Sequence, residues 1–289
     1  ETNHYQIQSL PINSGVFCLK KDRFQDVVWI GTDGQGVYLY SNPLYSIKSM
    51  VLSNYTEKIE RPVRAIYLDD ERTFWVGTKG NGILKIYDYE FDKNISDCRA
   101  EVLTTSNSAL SSNAVYCFAK SHRNLLWIGD EEGLTYYSYR EKRIKSIPIR
   151  IGNEDFKYIH DIYETADSEL WLASVGMGVV KARIAGTPDN PVIVDAQRYI
   201  INDGELGSNY FFTLYAENEA NLLFGNKGYG VFRYNETTNG LEPVSTHKYE
   251  NMTLNNILAI SKDSSNNYLF GTSYGLIKYT SETSYQLFN

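Results

Sequence analysis

The phrase V-W-I-G-T-D-G-Q-G-V-Y-L-Y at Val28–Tyr40 returns as F-W-V-G-T-K-G-N-G-I-L-K-I-Y from Phe74 and as L-L-F-G-N-K-G-Y-G-V-F-R-Y from Leu222. A phrase that recurs along one chain marks a structural unit built several times, and this constrains the fold more than any composition figure. The glycine after the bulky pair falls at Gly31, Gly77, Gly129, Gly225 and Gly271, with Ala173 in its place in the fourth copy. Successive positions lie 46, 52, 44, 52 and 46 residues apart, so six copies fill residues 1–289 as a single domain.

Every copy reads the same way. An upstream segment alternates apolar and polar residues, as in Val16-Phe17-Cys18-Leu19, Ala65-Ile66-Tyr67-Leu68 or Ile159-His160-Asp161-Ile162, the period of an inner strand. A polar turn leads to the W-I-G strand, and a glycine-bearing loop such as Thr32 to Gly36 turns into an aromatic-ending third strand. Glycine there supplies the positive φ of a tight hairpin. A looser stretch carries a fourth, outer strand. Four antiparallel strands in roughly 40 to 50 residues make the blade of a β-propeller, whose small sheets bury their faces only against each other. The expectation is an all-β, six-bladed propeller with blades near 11–50, 61–104, 110–150, 156–201, 207–248 and 254–289. Trp29, Trp75, Trp127 and Trp171, then Leu223 and Leu269, would fill the space between sheets. His4-Tyr5-Gln6-Ile7 resembles Ser284-Tyr285-Gln286-Leu287, so residues 1–10 read as an extra outer strand that closes the ring on the last blade. A seven-bladed or partial propeller is the alternative.

Composition agrees and excludes some partners. The 24 Tyr, 12 Phe and 4 Trp against 7 Pro favour strands, and no apolar run approaches the roughly 18 residues of a membrane span. A net charge of −7 with no basic block argues against nucleic acid and disfavours acidic partners in general. Glu1 to Leu10 lacks the basic start and apolar stretch of a signal peptide, as a mature secreted chain also would. Cys18, Cys98 and Cys117 show no C-x-x-C spacing, and Cys18 and Cys117 fall a whole blade apart, so free thiols are expected.

No catalytic residue, metal ligand or cofactor motif stands out. G-x-S-x-G and H-E-x-x-H are absent, and the four histidines lie in different repeats. The acids at Asp69-Asp70, Asp130-Glu131-Glu132 and Glu154-Asp155 read as solvated turn residues. His160-Asp161 is the one pair that could serve a lyase or glycosidase. For binding, the loops between second and third strands and the connections between blades share one face around the central channel. That face is expected to present Asp33, Gln35, Arg64, Lys79, Asn81, Glu131, Glu132, His160, Met177, Tyr210, Lys227, Tyr229 and Tyr274. Aromatic rings there would pack on sugar C–H faces, while charged and amide groups would bond hydroxyls or uronic acids.

The repeat resembles the two-component regulator propeller repeat. The similarity is fullest from Leu110-Ser111-Ser112-Asn113-Ala114-Val115 through Leu126-Trp127-Ile128-Gly129 to Gly133-Leu134 and extends over all six copies. It departs at Ala173 and at Phe224 and Phe270, which follow Leu where the family has Trp-Ile. The resemblance implies the periplasmic sensor region of an inner-membrane hybrid histidine kinase of Bacteroides type, non-catalytic itself and free of membrane contact. It further implies an oligosaccharide ligand, neighbouring ectodomain modules and a homodimer partner. A propeller that only assembles the ectodomain, with ligand bound elsewhere, is the second expectation.

Overall fold

The computed structural model describes residues 12–23, 27–41, 46–50, 59, 61–89, 98–201, 209–244, 255–281 and 284–288. Six four-stranded antiparallel sheets follow one another along the chain as a six-bladed β-propeller, each laid down in sequence order from inner to outer strand. Blade 1 holds β1 (Val16–Lys21), β2 (Val27–Thr32), β3 (Val37–Ser41) and β4 (Ser46–Met50), and blade 2 holds β5 (Val63–Leu68), β6 (Phe74–Thr78), β7 (Ile83–Ile86) and β8 (Ala100–Leu103). Blade 3 comprises β9 (Val115–Lys120), β10 (Leu125–Asp130), β11 (Leu134–Ser138) and β12 (Arg143–Ser146). A short hairpin, β13 (Arg150–Ile151) with β14 (Glu154–Asp155), precedes blade 4. Blade 4 is β15 (Ile159–Glu164), β16 (Glu169–Ser174), β17 (Gly178–Thr187) and β18 (Asn190–Tyr199). Blades 5 and 6 are β19 (Phe211–Asn218) to β22 (Gly240–Pro243), through β20 (Asn221–Asn226) and β21 (Gly230–Asn235), and β23 (Ile257–Lys262) to β26 (Ser284–Phe288), through β24 (Tyr268–Thr272) and β25 (Leu276–Ser281). The N-terminal strand expected at residues 1–10 lies outside the described residues. Blade 4 departs from the expected unit: its outer pair runs 10 residues in each strand, well beyond the Gln197–Ile201 strand expected from sequence.

The core lies between the sheets. The indole of Trp29 packs with Val63, Phe74 and Tyr89 of the next blade, Trp75 with Val115 and Tyr137, Trp127 with Phe156 and Ile159, and Trp171 with Phe211 and Phe224. Leu223 takes that place between blades 5 and 6. Each buried indole N–H needs an acceptor, and Trp29 donates to Asp22 (3.0 Å), Trp75 to Asp69 (2.9 Å) and Trp127 to Glu164 of the following blade (2.6 Å).

Blades 1 and 6 each carry one more exposed side. At the first and fourth positions of the inner strand, blade 2 has Val63 and Ile66 and blade 4 has Ile159 and Ile162, all at most 7% exposed; the equivalents in blade 1, Val16 and Leu19, are 43% and 64% exposed. On the opposite side, Leu276 is 38% exposed where Val37, Ile83 and Val179 are at 0%, and Leu269 is only half-buried.

The signature glycines serve close approach. A β-carbon on Gly129 would stand 2.5 Å from the Cys117 sulfur and 2.7 Å from the Ile159 carbonyl oxygen of the next blade, and one on Gly31 would stand 2.4 Å from the Cys18 sulfur. Cys18, Cys98 and Cys117 form no disulfide with one another. Burial pushes the Cys18 thiol up to about 12, so it behaves as a small apolar filler. The hairpin glycines of blades 1 to 5 carry positive φ, as at Gly36 (78°) and Gly178 (87°).

The acids divide by environment. Asp70, Glu132, Glu154 and Asp155 are exposed, as expected for solvated turns, but Asp69 and Asp130 are fully buried. Asp69 accepts the Glu71 and Thr73 N–H groups besides the Trp75 indole, which pins the turn between β5 and β6. Asp130 accepts the Glu132 and Gly133 N–H groups and the Ser111 hydroxyl. Sequence cannot separate such acids from their exposed neighbours, because the difference lies in which one faces the turn's amides.

Candidate functional site

In every blade the ladder between the inner strand and its neighbour skips one residue near its start. The partners run Val16↔Thr32 then Cys18↔Gly31, Val63↔Thr78 then Ala65↔Gly77, and likewise in blades 3 to 6. A skipped residue is a β-bulge, which re-aims its side chain. The six bulged residues are Phe17, Arg64, Tyr116, His160, Phe212 and Leu258.

Five of these side chains meet a neighbour across a blade boundary and form a collar around the start of the inner strands. The Arg64 guanidinium lies 3.6 Å from the centre of the Phe17 ring. The Tyr116 and His160 rings stack at 4.2 Å, and His160 meets Phe212 edge-on at 5.6 Å. Burial, with the positive fields of Arg64 and Lys79, pushes His160 down to about 3, so the imidazole is neutral and works as an aromatic ring. Burial also lowers the Arg64 pKa, an effect the Asp33 carboxylate opposes, and raises the Tyr116 pKa together with the Glu131 carboxylate. The Arg64 Nε is buried and has no hydrogen-bond partner among the described residues.

Outside the collar runs a rim stitched by backbone. The N–H groups of Asp33, Lys79, Glu131, Val175 and Lys227 donate to the carbonyls of Gly15, Pro62, Ala114, Tyr158 and Tyr210, each at the entry to that blade's inner strand. The N–H groups of Gly80, Gly176 and Gly228 donate across the seam to Asn113, Asn209 and Asn255 of the next blade. The asparagine of the L-S-S-N phrase is thus a blade-to-blade clasp: Asn113 also accepts the Thr105 N–H through its side chain, as Asn209 accepts that of Ile201.

Of the residues expected from sequence, Arg64 and His160 join the collar, and Asp33, Lys79, Glu131 and Lys227 sit on the rim, with the Lys227 ammonium 5.5 Å from the Tyr210 ring centre. Glu131 accepts the Ser112 hydroxyl at 3.3 Å and Glu132 pairs with Lys157. Gln35 accepts the Tyr38 hydroxyl in its own hairpin. Asn81 accepts the Arg61 N–H and borders a separate cleft of about 340 Å³ lined by Thr104, Thr105, Ser106 and Asn107. Met177 packs on the core between blades 3 and 4 and accepts the Lys157 N–H on its sulfur; Tyr229 packs between blades 4 and 5. Tyr274 is exposed on the last hairpin. Phe17, Tyr116, Phe212 and Leu258 are missing from the expected set, although all occupy the second position of the alternating inner strand.

His160 and Asp161 do not act together. The Asp161 carboxylate turns from the collar into the junction with blade 5, accepting the Leu214 N–H (2.6 Å), the Thr213 hydroxyl (3.1 Å) and the Ile162 N–H (2.9 Å). Burial outweighs these bonds and raises its pKa to about 6. Among the described residues no group of three or more His, Cys, Asp and Glu converges on a metal-sized site, and no helix is long and apolar enough to cross a membrane.

No protein-family model matches the chain. The extracellular domain of the putative hybrid two-component system BT4673 from B. thetaiotaomicron shares the fold over 96% of this chain at a TM-score of 0.64 and 15% identity. A second structure of the BT4673 extracellular domain aligns over 98% at a TM-score of 0.66 and 18% identity. PorZ, a surface component of the type-IX secretion system of Porphyromonas gingivalis, aligns over 99% at 0.54 and 14% identity. The chain spans 43%, 37% and 47% of those three chains. A curated relative, translation initiation factor 6 of Saccharolobus solfataricus, is 31% identical over 140 residues, 44% of this chain and 57% of that protein.

Proposed function

We propose that this propeller is an extracytoplasmic, non-catalytic sensor module of a two-component receptor, that it binds an oligosaccharide over the bulge collar, and that binding biases a histidine kinase through neighbouring modules and a homodimer. The collar carries this reading: six equivalent bulges set four rings, one guanidinium and one leucine at the same register position near the start of the inner strands. Rings of this kind suit the C–H faces of sugars, and the rim supplies amide and charged groups for hydroxyls. The fold shared with extracellular domains of two-component systems supports the receptor context. Separate employment of His160 and Asp161 speaks against a lyase or glycosidase built on that pair.

The test is calorimetric titration with a panel of neutral and acidic plant and host oligosaccharides against the wild type, Tyr116→Ala and Phe212→Ala. Binding by the wild type, weakened roughly ten-fold or more in either variant, is expected from loss of a stacking ring. A silent panel, or binding that neither variant alters, contradicts the reading. The former result favours the assembly role.

A further inference from the structure

Resting on the collar reading above, we infer that the ligand is an acidic sugar whose carboxylate is held by Arg64. The guanidinium is the single cation among the six bulged residues, and it stands over the Phe17 ring with its Nε buried and without a hydrogen-bond partner among the described residues. Among the described residues no carboxylate forms an ion pair with it. A buried donor left unpaired carries a free-energy penalty that a ligand acceptor removes, and the guanidinium fork matches a carboxylate in two parallel bonds. Lys79 reinforces the cationic field from the rim and has no ion pair among the described residues, and the Lys227 ammonium lies 5.5 Å from the Tyr210 ring centre. Glu131 is engaged with Ser112, which leaves Asp33 as the acid facing Arg64. The overall charge of −7 slows the approach of an anion without reversing this local field.

Three probes decide it: tetragalacturonate, its fully methyl-esterified form and galactotetraose, titrated by calorimetry into the wild-type chain, Arg64→Gln and Arg64→Lys. The first two differ in the carboxylate charge and in one added methyl group per sugar, and galactotetraose lacks the carboxyl altogether. Expected is tetragalacturonate binding at least ten-fold tighter than its ester to the wild type. That preference should vanish in Arg64→Gln and return partly in Arg64→Lys. Because the ester comparison uses the wild type alone, a poorly folded variant does not block the test. Equal binding of acid and ester, a preference that survives in Arg64→Gln, or silence of all three overturns the inference. The collar reading itself survives those results if any other oligosaccharide of the larger panel binds in a Tyr116- or Phe212-dependent way.

Discussion

Asp69 and Asp70 are adjacent in sequence and opposite in environment. Asp69 satisfies three donors inside the protein, whereas Asp70 pairs at the surface with Arg23 and Lys120. Asp69→Ala should therefore cost about 2 to 4 kcal/mol in urea unfolding, and Asp70→Ala less than about 0.5 kcal/mol. Similar losses at both would refute the buried-cap account. The signature glycines make a graded case. Gly129→Ala drives a methyl onto Cys117 and the Ile159 backbone and should cost about 2 to 3 kcal/mol, while Gly271→Ala, whose nearest neighbour is the Ala259 β-carbon at 3.3 Å, should cost under about 1 kcal/mol. Two buried groups set opposing pH terms. Asp161 has a folded pKa near 6, above its unfolded value, so its contribution is greatest below about pH 4 and is lost as pH rises through 6. His160 has a folded pKa near 3, below its unfolded value, so its contribution is present above about pH 6.5 and lost as pH falls. Thus His160→Gln should gain stability relative to wild type on acidification from pH 7.5 to 5, and Asp161→Asn should lose it, each by about 1 kcal/mol. The reverse signs in chemical denaturation would contradict the assigned environments.

At the level of strands and turns, most of the architecture was legible in the chain. Period-two alternation marked the inner strands, W-I-G the second strands and the glycine loops the hairpins, and each signal is local. What stayed hidden was the bulge. A one-residue skip in a ladder is a property of two strands' mutual register, so Phe17, Tyr116, Phe212 and Leu258 read only as alternate strand residues. Arg64 and His160 entered the expected site for their chemistry and for their place near the loops, and the register then explained why they meet. The same limit hid Asp69, whose burial depends on a turn closing around it. The long hairpin of β17 and β18 was also missed, because the repeat unit placed the outer strand of that blade only at Gln197–Ile201.

For the whole molecule, the uneven seams set a measurable asymmetry. Ile66 is buried between blades 1 and 2, while its equivalent in blade 1, Leu19, is 64% exposed. Ile66→Asn should cost about 3 kcal/mol or more and Leu19→Asn less than about 0.5 kcal/mol by thermal or urea unfolding. Comparable costs would mean that the last seam is closed like the others. The account as a whole turns on the six bulges forming one recognition surface around the channel. A crystal structure of the chain soaked with the tightest-binding oligosaccharide of the calorimetric panel tests this most directly. The account predicts the sugar at the channel mouth with a ring face on Tyr116 or Phe212; ligand density on the opposite face, on the outer strands or nowhere would contradict it.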